Sequence, residues 1–279
     1  MIKNDSMSSL YRTTSILIMI TVWTAVFYIC YFLFSIISFS NITAALAISG
    51  LLSALSTFGV LTVLIKKKIS ESYALMMLIL SLSADIGINM IIPNSGTDTN
   101  PLLHYYAGIN IALLGTALGG GILISGIIRK PSYLIPITAA AGLADIWSVS
   151  VGVTRKVVQS KTAMNFLLFS FPVAGKGIRP IIGVTDFIFA VLFLSLSHRF
   201  NFPIMRTQVA VAASFIVSIS VAVFGGFGVP VLPLMGVFFI MGQYPHVKIS
   251  DPQEKRDALR GILIIAAALT AVTLIKHIS

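Results

Sequence analysis

Charge is what this chain has least of. Only 10% of its 279 residues are charged, nine of them acidic, and its mean hydropathy is +0.97. Too few polar side chains remain to cover a water-soluble fold of this size, so a soluble globular protein is excluded. Cysteine is nearly absent as well. The single Cys30 lies inside an apolar run, which excludes an intramolecular disulfide framework. The four histidines, His104, His198, His246 and His277, are scattered near the ends of apolar runs and show none of the spacings of a metal site, so no metal and no cofactor is expected. An internal repeat is missing too: the tripeptide ADI recurs at Asp85 and Asp145, but three residues of identity are expected by chance in a composition this biased.

What the chain has in quantity is long apolar runs. Crossing roughly 30 Å of hydrocarbon takes about 20 residues at 1.5 Å each. On that measure the sequence reads as an all-α, polytopic membrane helix bundle of about nine transmembrane segments. After a polar tail (1–14), spans are expected at 15–38, 43–65, 71–92, 104–127, 132–152, 180–198 and 207–224, then in a segment opened by PVLP (230–233) and ending near Tyr244, and at 261–276. The basic tail precedes a run too long for a signal-peptide core, so the first span is expected to be retained. The organisation follows: a four-span scaffold (15–127), a core (132–245) and a C-terminal span (260–276).

The net charge of +10 would suit nucleic acid, but the 19 Lys and Arg sit in short clusters between apolar runs, as flanks of spans do. No nucleic acid is expected as a partner. Most of these charges fall inside if the N-terminus is inside. Five of them, Arg155, Lys156, Lys161, Lys176 and Arg179, lie in one linker on the other face and oppose that orientation. The lack of targeting signals and the small size point to a prokaryotic cell membrane.

Against this background three acids stand out, because an ionised side chain at membrane depth costs at least a few kcal/mol. Asp85 has Ser81 and Asn89 one turn to either side, so all three share a helical face that must point into the bundle or a wet crevice. Without a motif around it, Asp85 reads as a packing residue bonded to Asn89. Asp145 in AGLADIWSVSVGV and Asp186 in IIGVTDFIFAVLF differ. They lie on consecutive spans near the ends joined by the linker, at similar depth, and PVLP returns to the same face. Two carboxylates held close cannot both ionise and share a proton. Such a pair suits peptide hydrolysis: the ionised member takes a proton from water as it attacks the carbonyl, and the protonated member donates to the carbonyl oxygen. Gly142 and Ser148 flank Asp145, and Gly183 and Ala190 flank Asp186, thinning both helices to admit a polypeptide backbone. Pro230 and Pro233 lack N–H groups and discourage regular helix, leaving backbone groups of Val231 and Leu232 free for a substrate strand; proline is equally welcome in the first turn of a helix. The linker piece TAMNFLLFSFPVAG is too short to span and is expected to be interfacial, re-entrant or strand-like.

LADIWSV followed by a basic patch, GVTDFIFA, and PVLP resemble, in that order over roughly residues 132–240, the Y-D, G-x-G-D and P-A-L motifs of the presenilin and signal peptide peptidase family of intramembrane aspartyl proteases. The resemblance implies that Asp145 and Asp186 are the catalytic pair. It also implies that Gly183 and Thr185, with Pro230, Val231, Leu232 and Pro233, line the substrate path, and that residues 162–174 lie where family members bind substrate as a strand. The substrates implied are transmembrane segments of membrane proteins or remnant signal peptides. Three positions depart from the pattern: Ala144 stands for Tyr, Thr185 for the second Gly, and Val231 for Ala. The family places its aspartates on the sixth and seventh spans, and here they fall on the fifth and sixth. The alternatives are a proton-coupled transporter or channel using the three acids, and an inactive relative that binds membrane proteins. A transporter would carry paired interrupted repeats, and the sequence holds one interruption, at GGFG-PVLP.

Overall fold

The computed structural model describes residues 2–37, 41–67, 69–91, 101–150, 160–225, 229–249 and 251–278. Helix dominates: α1 (Ile2–Ile36), α2 (Ile42–Ile65), α3 (Glu71–Ile91), α4 (Pro101–Ile127), α5 (Leu134–Ser150) after a 3-10 turn (Pro131–Tyr133), α6 (Lys161–Leu167), α7 (Val184–Arg199), α8 (Ile204–Gly225), α9 (Val231–Val247) and α10 (Pro252–Ile278). The exception is an antiparallel hairpin of β1 (Leu168–Val173) and β2 (Gly177–Gly183). Among the described residues six helices are long and apolar enough to cross a membrane: 14–36, 42–65, 71–90, 103–127, 131–149 and 204–225. The protein is therefore a multi-pass, membrane-embedded helical protein. The sixth expected span becomes helical only at Val184, because 177–183 is strand, and α9 is a shorter apolar helix of 17 residues.

The chain forms two compact units that interleave in sequence, so the expected core 132–245 contributes to both. The first comprises 1–123 and 164–191, the second 124–163 and 192–279.

In the first unit, small residues set the helix spacing. The buried face of α2 is largely Ala45, Ala47, Ser49, Gly50, Ser53, Ala54 and Thr57, which suits close approach where no hydrophobic effect drives helices together. Trp23 on α1 donates its indole N–H to Thr57 at 3.1 Å and stacks on Phe27, whose ring meets Phe171 of β1 edge-on at 5.7 Å. The inner helix is α4, with 67% of its apolar window buried against 11% for α3. Its glycines face two ways: a Cβ on Gly119 would lie 2.7 Å from the Ala74 carbonyl of α3, and one on Gly121 2.5 Å from Val191 of α7. Gly121→Ala is expected to cost about 1–3 kcal/mol in detergent thermal unfolding through overpacking. Gly59→Ala, in open space on α2, should instead stabilise by up to about 1 kcal/mol.

In the second unit α9 packs on α5 and α8. Gly236 of α9 sits against Thr138 of α5, where an added Cβ would lie 3.1 Å from the Thr138 Cβ. The buried Gln243 amide donates to Thr207 and to the Pro203 carbonyl, each at 3.0 Å, and Phe193 stacks on Phe239 at 4.4 Å. The turn after α7 passes through Asn201, one of the few side chains that tolerate a positive φ (53°), and the Phe202 N–H returns to the Ser197 carbonyl. On the surface Lys130 pairs with Glu254 of α10 at 2.7 Å. Hydrogen bonds from Lys130 and Ser132 hold the Glu254 carboxyl below its ordinary range, and the same pairing raises Lys130. A lowered carboxyl contributes stability above its unfolded pKa and loses it as pH falls through the folded value; the raised ammonium loses its share as pH rises through its own folded value. Glu254→Gln should therefore lower the unfolding temperature slightly at neutral pH. The difference should vanish in acid and in high salt.

Candidate functional site

The first acid belongs to the second unit. Asp145 is half-buried on α5, three residues after Gly142, and its Oδ2 accepts the backbone N–H of Leu232 at 3.1 Å. That donor exists because of where PVLP sits. Pro230 is the N-cap of α9 (φ −64°, ψ 130°), so Val231, Leu232 and Pro233 form the first turn of that helix. The first turn of any helix has N–H groups without intrahelical partners, and Pro233 has none to offer. The Leu232 N–H meets the carboxylate, and the positive end of α9 adds a favourable field for an anion. The expectation that the two prolines disrupt regular helix is thus corrected: they start one. The role expected of Gly142 changes likewise. A Cβ there would lie 3.3 Å from the Pro233 Cα, so the missing side chain admits the PVLP turn itself. Ahead of PVLP the Ser218 hydroxyl donates to the Val229 carbonyl at 2.8 Å, tying that segment to α8. Residues 226–228 of GGFG lie outside the described residues, as do 151–159 with Arg155 and Lys156.

The second acid belongs to the first unit. Asp186 lies in the first turn of α7, half-buried, and the chain passes from β2 into that helix with no intervening loop. Gly183 ends the strand, and a Cβ on it would stand 3.3 Å from the Thr185 Oγ1 and 3.5 Å from the Asp186 Oδ2. The carboxylate folds back over residue 183, as acidic side chains in a first helical turn do. Phe187 beside it is fully buried and meets Phe169 of β1 at 4.9 Å. Thr185 is exposed, and Val231 in the other unit is half-buried. The sequence-predicted residues therefore gather into two groups, Asp145 with the PVLP turn and Asp186 with Gly183 and Thr185.

Between α6 and Asp186 the linker piece resolves into helix and strand. Gly175 and Gly177 hold positive φ (71° and 70°) at the hairpin turn, and Lys176 and Arg179 project to the surface. Two side chains for which no role was expected hold this region. Asn110 of α4 bonds Ser170 of β1 on both sides: its Nδ2 donates to the Ser170 carbonyl at 2.6 Å and its Oδ1 accepts the Ser170 N–H at 2.9 Å. Asn165 of α6 donates to the Tyr105 hydroxyl at 2.8 Å, which donates to Asn89 at 2.9 Å, and Asn89 in turn donates to Asp85 at 3.0 Å. Asp85 is 3% exposed, and its Ser81–Asp85–Asn89 face turns toward Gly115 and Tyr105 of α4, a packing arrangement. The available signal was an asparagine within an otherwise apolar span, which in a membrane marks a bonded group. Among the described residues no cluster of three or more His, Cys, Asp or Glu is placed to hold a metal.

No family model, curated protein or solved structure matches this chain.

Proposed function

We propose that this chain is an intramembrane aspartyl endopeptidase of the presenilin and signal peptide peptidase type, which hydrolyses peptide bonds within transmembrane segments or remnant signal peptides. The observation that carries the reading is the Leu232 N–H on the Asp145 carboxylate, since it joins the first and third motifs through the acid that one would need as a catalyst. The turn in which Gly183 faces the Thr185 hydroxyl and lies in contact with the Asp186 carboxylate supports the second motif. In the mechanism Asp145 and Asp186 share one proton. The ionised carboxylate takes a proton from water as the water adds to the scissile carbonyl, and the protonated one donates to the carbonyl oxygen. The Leu232 N–H orients Asp145 throughout. Neither step requires a metal or a covalent intermediate. Thr185 and Val231 hold no proton in this scheme, so their departures from the family pattern bear on substrate fit. Counting α7, α9 and the apolar half of α10 with the six long helices gives nine membrane segments.

A proton-coupled transporter is the second reading, favoured by the buried Asp85 and its chain of polar partners through Tyr105 to Asn165. Purified protein in liposomes with a labelled transmembrane peptide separates the two. Cleavage within the apolar segment is expected. An intact peptide together with proton-driven solute uptake would overturn the protease reading.

A further inference from the structure

The hairpin that leads into Asp186 has one edge already closed. In an antiparallel pair, a residue's N–H and C=O point either both to the partner strand or both away from it. Ser170 gives both groups to Asn110, so the Ser170↔Pro180 pair is of the outward-facing kind, Phe171↔Arg179 is hydrogen-bonded, and Pro172↔Ile178 faces outward again. This alternation explains how two prolines fit in so short a hairpin, since each puts its donorless nitrogen on an outer edge. The two edges are therefore unequal. On β1 the outward N–H of Ser170 is taken and Pro172 has none. On β2 the outward groups are the N–H and C=O of Ile178 and the C=O of Pro180. Asn110 and Ser170 are 0% and 1% exposed, so the carboxamide is not a surface contact that water could replace.

We propose that Asn110 is a positioning residue that acts as a fixed third-strand mimic on β1, so that an extended substrate segment pairs only along β2, in the register set by the missing donor of Pro180. The proposal rests on the protease reading, which already implies that substrate is held as a strand, and deepens it by naming the residue that closes one edge of the hairpin. The occupant is substrate backbone, because β2 continues without a loop into the first turn that carries Asp186, and a strand paired on β2 is led to that carboxylate. Backbone groups on an open edge seek pairing wherever water is scarce. Holding the hairpin ready before substrate arrives saves ordering at the moment of binding, which enters KM rather than kcat.

The test uses full-length protein in liposomes with a labelled transmembrane peptide, and reads hydrogen exchange across 168–183, cleavage kinetics and the position of the cut. Asn110→Leu should raise exchange of the Ser170 amide by roughly tenfold or more, raise KM by a similar factor with kcat changed far less, and spread the cut over neighbouring bonds. Asn110→Asp, which keeps the acceptor for the Ser170 N–H but loses the donor, should fall between. Pro180→Val restores an outward N–H without touching the core and should move the cut with the hairpin's exchange unchanged. Unaltered Ser170 exchange in Asn110→Leu would overturn the mimic. Raised exchange with unchanged KM and cut position, or a Pro180→Val cut that stays in place, would overturn the positioning role. Should the unaltered protein cleave no peptide, the protease reading fails separately; a photoreactive peptide then decides the edge, with labelling at 177–180 supporting the proposal and labelling confined elsewhere overturning it.

Discussion

Asp145→Asn and Asp186→Asn are each expected to reduce cleavage of a transmembrane peptide by at least about 10³-fold. Asparagine keeps the size of the side chain and, at 145, keeps an oxygen that can accept the Leu232 N–H, so the PVLP turn should stay seated on α5. What it removes is the ability to take up and release a proton. In the proposed mechanism the two acids act as one unit, so the double variant should be no slower than either single one. Asp85→Asn should retain most activity, since Asp85 is bonded within the first unit to Asn89 and has no part in the proposed proton transfers. Initial rates on one labelled peptide, with equal protein recovery, decide the matter. Equal loss in all three variants would favour a role shared among the acids, as in transport.

Leu232→Pro carries the second large effect. Proline is tolerated within the first turn of a helix, and Pro233 already follows, so α9 should still start at 231. The change deletes the single N–H that reaches Asp145. A hydrogen bond to a charged group is worth about 1.5–3 kcal/mol, so kcat should fall roughly ten- to hundredfold with KM little altered. Val231→Pro places the same ring one residue earlier and leaves the Leu232 donor in place; its effect should fall on substrate fit, and so on KM, with kcat close to the unaltered value. If the two variants fall together, the loss reports disturbance of the turn and the role given to the Leu232 N–H is wrong.

Much of this was legible in the sequence. The six long apolar helices coincide with six of the runs expected from length and hydropathy, because a span of that length has few other ways to satisfy its backbone. The shared face of Ser81, Asp85 and Asn89 could be read because helical spacing is local. Other features turned on partners distant in sequence. PVLP as a breaker and PVLP as a helix start share the same residues, and what distinguishes them is the contact of Pro233 with Gly142. The sixth span was expected from 180, whereas residues 177–183 pair with 168–173 across a turn made possible by two positive-φ glycines, leaving helix only from Val184. Asn110 could be flagged as a polar residue in an apolar run, but its partner is the backbone of a strand sixty positions away. Nor does periodicity reveal that the strand and helix carrying Asp186 group with the first four helices, while Asp145 groups with α8 and α9.

In the proposed mechanism two carboxylates act across one water molecule, and the chain offers a direct way to measure their approach. Cys30 is the only cysteine, so Cys30→Ser gives a cysteine-free background into which Asp145→Cys and Asp186→Cys are placed together. In native membranes a short bifunctional thiol reagent should then yield an intramolecular cross-link that neither single cysteine gives, and a transmembrane peptide should slow its formation. Two cysteines that each label fully yet never join, with short or long reagents, would contradict the shared-proton pair and the protease with it.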